Sequence, residues 1–385
     1  MKNQSKLFFL RAAVSVALLF SVNWASDLLQ KGEFEQRYLW VVRNTLTSKS
    51  SINQMINFAT LNRFNHILVQ VRGRGDAYYN SMIVPKSQLI NDANFDPLAY
   101  LIPRAKEKGI HVHAWVNTYL LWSSRLKPIQ DDHLFYSHPE WIDQNKQMKI
   151  NISEEMQNFN SGKNGNEGFY LSPNHPKVNS YLLTVFRDLI ENYELDGLHL
   201  DYVRFHDSEY GQNPGAIAYF QRYNGMKSYP PEETSGVLEW NDHRRNAITD
   251  LVRETKNLIE TVRPGVELSA AVKPNLYQAR ERYFQEWDVW LAAGYLDKAV
   301  VMNYTKNLKK FADNIDIMYD NLPSKYRKKI VMGIATYNQP ASQVVDKVKY
   351  TRVTRFKGIS FFSYNVMAQN PQYFRSIKKI LYPRG

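Results

Sequence analysis

Short apolar runs recur along the chain, and each is followed by a stretch whose apolar residues return at helical spacing. The first run, Tyr38–Asn44, precedes Ser51–Arg63, where Ile52, Met55, Ile56 and Ala59 fall on one helix face. His66–Val71 precedes a glycine-containing loop and a helix over Pro97–Lys108, which Gly109 closes. Ile110–Asn117 is a third strand. The long segment Thr118–Pro176, with Trp122, Trp141 and the polar stretch Asn160–Gly168, reads as an insertion without regular elements. A helix over Val178–Tyr193 then leads into Leu195–Phe205, LDGLHLDYVRF. The loop His206–Gly236 and a long helix, Trp240–Val262, follow. Four more strands are predicted at Val266–Lys273, Ala299–Thr305, Lys329–Thr336 and Gly358–Asn365. Helices over Ala279–Ala293, Phe311–Asn321, Ala341–Arg355 and Pro371–Leu381 separate and close them. Strands alternating with amphipathic helices make an α/β fold, a single (β/α)8 barrel with long loops after strands three and four. No repeat, inter-domain linker or appended domain is evident.

The fourth strand organises the rest. Strand side chains alternate between faces, so Leu198 and Leu200 share one face while His199 and Asp201 share the other. The leucines suit packing beneath helices, and Asp201 falls at the C-terminal strand end, where such barrels keep their chemistry. Asp201 could also serve only to cap the next segment or to pair with Arg204. The other strand ends present Gln70, Arg72 and Asp76 after strand two, and Trp115 and Asn117 on strand three. They present Tyr202 and Arg204 beside Asp201, then Lys273, Asn303 and Tyr304, Thr336 and Tyr337, and Tyr364 and Asn365. Amides, aromatic rings and cations on one rim suit a hydroxyl-rich or anionic ligand.

Composition narrows this picture. The chain of 385 residues is 44% hydrophobic and 22% charged, values of a folding globular protein. Its net charge of +12 is spread without long basic runs, so it reads as a solvated surface with no nucleic-acid partner. There is no cysteine, which removes disulfides, thiolate zinc sites and thiol catalysis. His111, His113 and His199 could all face the interior as metal ligands, and a metal-dependent deacetylase or related hydrolase would use His111, His113 and Asp201. Without a supporting carboxylate motif we expect no metal and no cofactor. Lys2, Lys6 and Arg11 precede the apolar run Ala12–Phe20, the pattern of a secretory signal. Residues 1–25 are the expected signal, with the barrel over 36–385. Cleavage after Ala25 would leave no stable membrane span and an exported protein in the periplasm, envelope or medium.

DGLHLDYVRF (Asp196–Phe205) resembles the strand-four signature of the family 10 glycoside-hydrolase-like proteins. QVRGRGDAYYNSMIVP (Gln70–Pro85), HVHAWVN (His111–Asn117), YLSPNHPKV (Tyr170–Val178), VVMNYT (Val300–Thr305) and FFSYN (Phe361–Asn365) resemble further family segments, in order. The resemblance implies an exported bacterial (β/α)8 barrel similar to glycosidases that cut peptidoglycan glycan strands stripped of stem peptides. It makes Asp201 the strand-four carboxylate. Some relatives carry a second Asp where this chain has Tyr202. Most glycosidases need two carboxyl groups, and no other predicted strand end supplies one. Asp76, Glu167, Asp207 and Glu209 are the loop candidates, with Asp76 inside a family motif. The expected site is therefore Asp201, Asp76 and Arg204 for catalysis, with Arg204 holding Asp201 ionised. Gln70, Arg72, Trp115, Asn117, His199, Tyr202, Lys273, Asn303, Tyr304 and Tyr364 are the expected polysaccharide contacts, with Trp115, Tyr304 and Tyr364 stacking on sugars. The alternative is a carbohydrate-binding barrel that no longer hydrolyses.

Overall fold

The computed structural model of the chain describes residues 34–146, 167–224, 229 and 234–382. The expected signal segment and most of Asn160–Gly168 lie outside them. Eight parallel strands form a closed barrel: β1 (Gln36–Val41), β2 (His66–Arg72), β3 (His111–Asn117), β6 (Gly197–Asp201), β7 (Glu267–Val272), β8 (Lys298–Met302), β9 (Ile330–Ala335) and β10 (Gly358–Phe362). Each pairs with the next along the chain, and β10 closes on β1 with Gln36 opposite Gly358. Two short strands, β4 (Leu120–Trp122) and β5 (Phe169–Tyr170), pair antiparallel within the insertion after β3.

Helices surround the ring, and their apolar faces bury the outward-facing strand residues. Leu198 and Leu200 are fully buried in this shell with Val185, Phe186 and Leu189 of the helix Val178–Asn192. A separate apolar cluster fills the barrel interior, made of Tyr38, Trp40, Leu68, Trp115, Ala271, Val300 and Val331. The interior is thus a packed core, and its upper end opens onto a cavity.

The lower end holds a second set of polar groups. His66, His111 and Glu267 start their strands, Tyr38 is the third residue of β1, and His113 lies one inward-facing step above His111. The His66 and His113 rings share a hydrogen bond of 2.9 Å between Nδ1 and Nε2, and Tyr38 stacks on His66 at 4.3 Å. The Tyr38 hydroxyl donates to Glu267 at 3.0 Å. His111 is exposed and meets Asp196 at 3.0 Å. Burial, reinforced by neighbouring positive groups, lowers His66 to about 2 and His113 to about 3, so both rings are neutral.

Several boundaries differ from the sequence expectation. β1 ends at Val41, and a 3-10 turn over Arg43–Thr47 follows, which swings Arg43 to the mouth. β10 ends at Phe362, and Tyr364 opens the helix Tyr364–Gln369. The helix expected over Ala279–Ala293 is two, Leu276–Tyr283 and Trp287–Ala292. They are split at Phe284, whose φ of 55° is left-handed. Its ring is buried against Phe205 at 5.3 Å with the Arg244 guanidinium 4.0 Å above it, packing that compensates the backbone cost. The loop after the fourth barrel strand contains the helix Pro214–Asn224, and the following helix starts early, at Thr234.

Candidate active site

At the upper end, the strand termini surround a cavity of about 850 Å³. Asp201 lies in its wall because register places it opposite Asn117 at the ends of β6 and β3. The residue is only 6% exposed. Its Oδ2 accepts from Trp115 Nε1 at 3.1 Å and its Oδ1 accepts from the Tyr202 main-chain N–H at 2.7 Å. Tyr202 has a left-handed φ of 52°, which costs on the order of 1–2 kcal/mol for a residue with a Cβ. That turn directs its N–H back to the carboxyl while its side chain lines the cavity. Burial raises Asp201 to about 6; the Tyr202 N–H and the Arg204 charge oppose the shift without cancelling it.

A second carboxylate shares the cavity. Glu167 sits just before β5, in the insertion after β3. Arg204 Nη2 and the Tyr170 hydroxyl both donate to its Oε2, at 2.6 and 2.5 Å. Burial alone would raise its pKa, but the Arg204 and Lys273 charges and these two hydrogen bonds together bring it to about 2. Its Oε1 keeps no hydrogen bond among the described residues. Lys273, also in the wall, is lowered to about 8 by burial and by Arg204, with Nζ 4.4 Å from the Tyr283 ring. One cavity thus carries a carboxyl that holds its proton into mildly acidic solution and another that stays ionised down to strongly acidic pH. Two carboxyls with pKa values pushed apart divide acid and base roles.

A hydrogen-bonded chain runs away from Asp201 along the rim. Trp115 Nε1 also donates to Asn117 Oδ1 at 3.0 Å, and Gln70 Nε2 donates to the same oxygen at 3.3 Å. Asn117 Nδ2 donates to the Gly73 carbonyl at 2.8 Å, and Arg43 Nη1 donates to Gln70 Oε1 at 2.9 Å. Across the mouth stand Tyr304, Phe362 and Tyr337, with Tyr337 56% exposed. The Tyr304 hydroxyl is buried and has no partner among the described residues.

Residues 35–350 match the family described as glycosyl hydrolase-like 10. The chain belongs to that family. It is 22% identical over 263 residues to the glycosyl hydrolase YngK of Bacillus subtilis, a match covering 66% of this chain and 43% of that one. It is 24% identical over 247 residues to the glycosyl hydrolase DigH of Escherichia coli K12, covering 58% of this chain and 49% of that one. The matched region spans less than half the length of either relative. Among solved structures, the glycoside hydrolase domain of PgaB (BpsB) from Bordetella bronchiseptica superimposes with a TM-score of 0.68. That match covers 90% of this chain and 98% of the domain at 13% identity, a likeness of fold.

Within this family barrel, Gln70, Trp115, Asn117, Asp201, Tyr202, Arg204, Lys273 and Tyr304 converge on the cavity. Five other expected site residues do not line it. Asp76 accepts from the Arg74 main-chain N–H at 3.1 Å and folds into its own loop. Arg72 is fully buried and donates to the Asn117 carbonyl at 2.5 Å, bracing the end of β3. His199 lies deeper in the barrel, bonded to Ser269 at 2.9 Å and edge-on to Trp40. Asn303 donates to the Phe311 carbonyl at 3.0 Å and accepts from Asn314 at 2.9 Å, anchoring the next helix. Tyr364 packs against Phe58 at 5.3 Å on the outer side, because the strand ends two residues before it. Trp115 is buried, with its ring edge-on to Trp40 at 4.7 Å, so it positions Asp201 instead of offering a stacking face.

The loop carboxylates separate in the same way. Asp207 pairs with His206 at 3.6 Å and Glu209 with Lys146 at 3.1 Å, both away from the cavity. Arg204 bonds Glu167 directly rather than Asp201. His113 pairs with Gly197, four positions below the Asn117–Asp201 pair, roughly 13 Å along the strand. His111, His113 and Asp201 therefore do not meet, and no group of three or more potential ligands suited to a metal occurs among the described residues. Sequence reading did not single out Trp40, Arg43, Arg74 or Phe362, all of which line the cavity. The alternation of Tyr38 and Trp40 on β1 was the available signal for the first.

Proposed function

We propose that this protein is a glycoside hydrolase that cleaves a bacterial envelope polysaccharide, the glycan strand of peptidoglycan being the favoured substrate. The observation that carries this reading is that Asp201, raised to about 6, and Glu167, lowered to about 2, line one cavity with Arg204. In this reading the Asp201 carboxyl gives its proton to the departing glycosidic oxygen as the bond to the anomeric carbon breaks. The Glu167 carboxylate, held through Oε2, presents Oε1 to the positive charge that develops on the ring. It accepts the proton of the attacking water or takes the anomeric carbon itself, to be released by water afterwards. In either course one water is consumed, its hydroxyl going to the anomeric carbon and a proton to the leaving oxygen. Tyr304, Phe362 and Tyr337 provide ring faces and a hydroxyl for neighbouring sugars, and Gln70 and Asn117 provide amides. The choice of glycan rests on the family resemblance. Export rests on the basic start and apolar run near the N-terminus.

The test is incubation of the protein with peptide-free glycan strands, followed by an assay for new reducing ends. New ends, lost on Asp201→Asn with the circular dichroism spectrum unchanged, support the reading. Retention of the strands without new ends would leave a carbohydrate-binding barrel, and undiminished turnover by the Asn variant would remove Asp201 from the chemistry.

A further inference from the structure

The mouth contains two arginines that the chemistry above does not use. Arg43 comes from the turn after β1, and Arg74 from the loop after β2; both line the cavity. Neither forms an ion pair among the described residues, whereas Arg204, which also lines the cavity, is neutralised by Glu167. Neutral acceptors hold them instead: Gln70 for Arg43, at 2.9 Å, and Ser123 Oγ for Arg74 Nε, at 3.0 Å. Gly73 lies between them. A Cβ there would come within 2.5 Å of Arg43 Cδ, so the absent side chain lets Arg43 lie against the loop that carries Arg74. Burial and then the Arg43 charge lower the proton affinity of Arg74, and Asp76 counters only part of this. Two mutually repelling guanidinium groups without a carboxylate partner make a local positive excess.

We propose that Arg43 and Arg74 form an anion subsite, and that the sugar held there carries a carboxylate. Guanidinium groups bind carboxylates with paired, charge-assisted hydrogen bonds. This proposal rests on the glycosidase reading and specifies its substrate class, an acidic glycan. The subsite is tied to the reacting end by the chain Arg43, Gln70, Asn117, Trp115, Asp201. That chain crosses three interstrand steps, roughly 14 Å along the rim. The acidic group therefore sits away from the bond being cut, and its recognition acts on binding more than on the chemical step.

Two probes separate the outcomes: peptide-free glycan strands with their sugar carboxylates intact, and the same strands with those carboxylates reduced to alcohols. The expected result is a KM about tenfold higher on the reduced strands, with kcat within about twofold. On the intact strands, Arg43→Gln and Arg74→Gln should each raise KM by a similar factor, and the substitution and the chemical reduction should not add. Equal KM values on the two probes, additive losses, or an effect confined to kcat would overturn the subsite. Titration calorimetry with both probes on the wild type provides a readout independent of turnover. Tighter binding of the intact strands, lost in both variants, with no cleavage would sustain the subsite and sink the hydrolytic reading. Equal or absent binding of both probes would sink the subsite. Unchanged thermal unfolding of the variants excludes misfolding as the cause.

Discussion

The two ends of the barrel carry comparable numbers of buried ionisable side chains and use them differently. At the lower end two hydrogen bonds, Tyr38 to Glu267 and His66 to His113, with Tyr38 stacked on His66, tie the groups to one another. At the upper end Asp201, Glu167, Arg204 and Lys273 line open space; burial raises Asp201 while the Arg204 and Lys273 charges lower Glu167, so the two carboxyls part in proton affinity. Burial occurs at both ends; what separates them is whether the groups face a cavity once their internal bonds are made. Strand ends converge on loops at one end, and those loops are long enough after β3 to bring Glu167 over the rim. A cluster of titratable residues is thus a poor guide to chemistry until its end of the barrel is known.

The sharpest way to break this contrast is at Asp201. Asp201→Asn should lower glycan cleavage by about 10³-fold or more, within the range expected for loss of a general acid, with the fold retained. Next is Glu167→Gln, expected to cost about 10²-fold. It should also shift the alkaline limb of the pH profile of kcat/KM to lower pH, because the Glu167 charge helps to keep Asp201 protonated. An unmoved limb would show that the two groups do not act as a pair. In the wild type that limb should lie near pH 6, with activity falling about tenfold per unit above it.

Stability gives smaller effects, and Asp201 opposes the lower-end histidines in sign. His66 and His113 are depressed from 6.5 to about 2 and 3, so their contribution is full above about pH 6.5 and declines as pH falls through that window. Asp201 is raised from 3.8 to about 6, so its contribution is full below about pH 3.8 and lost as pH rises through 6. Two histidines with the larger shifts outweigh one carboxyl, and urea midpoints should fall on acidification below pH 6.5. His113→Gln should flatten that dependence and cost about 1–3 kcal/mol near neutrality, since the His66 ring loses its partner. Its kcat should stay within about twofold of the wild type. A large loss of turnover with an unchanged urea midpoint would mean that the lower cluster is coupled to the chemistry.

Much of this could be read in the chain. The alternation in LDGLHLDYVRF placed Asp201 and His199 inward and the leucines outward, because a strand has a fixed period of two. The order of strands and helices gave the closed ring for the same kind of reason: local periodicity reports which face is buried. Strand length is less legible. Tyr364 looked like a mouth residue until β10 proved to end at Phe362. Arg43 gave no periodic signal because it leaves β1 through a 3-10 turn.

The sequence by itself determined the barrel, its central carboxyl and the rim of amides and cations, all of which follow from short-range patterns. Only the tertiary structure decided which carboxylate joins Asp201. Glu167 precedes it by more than thirty positions, while Asp207, only six positions away, faces elsewhere. Proximity of that kind depends on how an insertion folds across the mouth and where Arg204 finds its partner. Those long-range contacts are set by packing, and no local spacing encodes them.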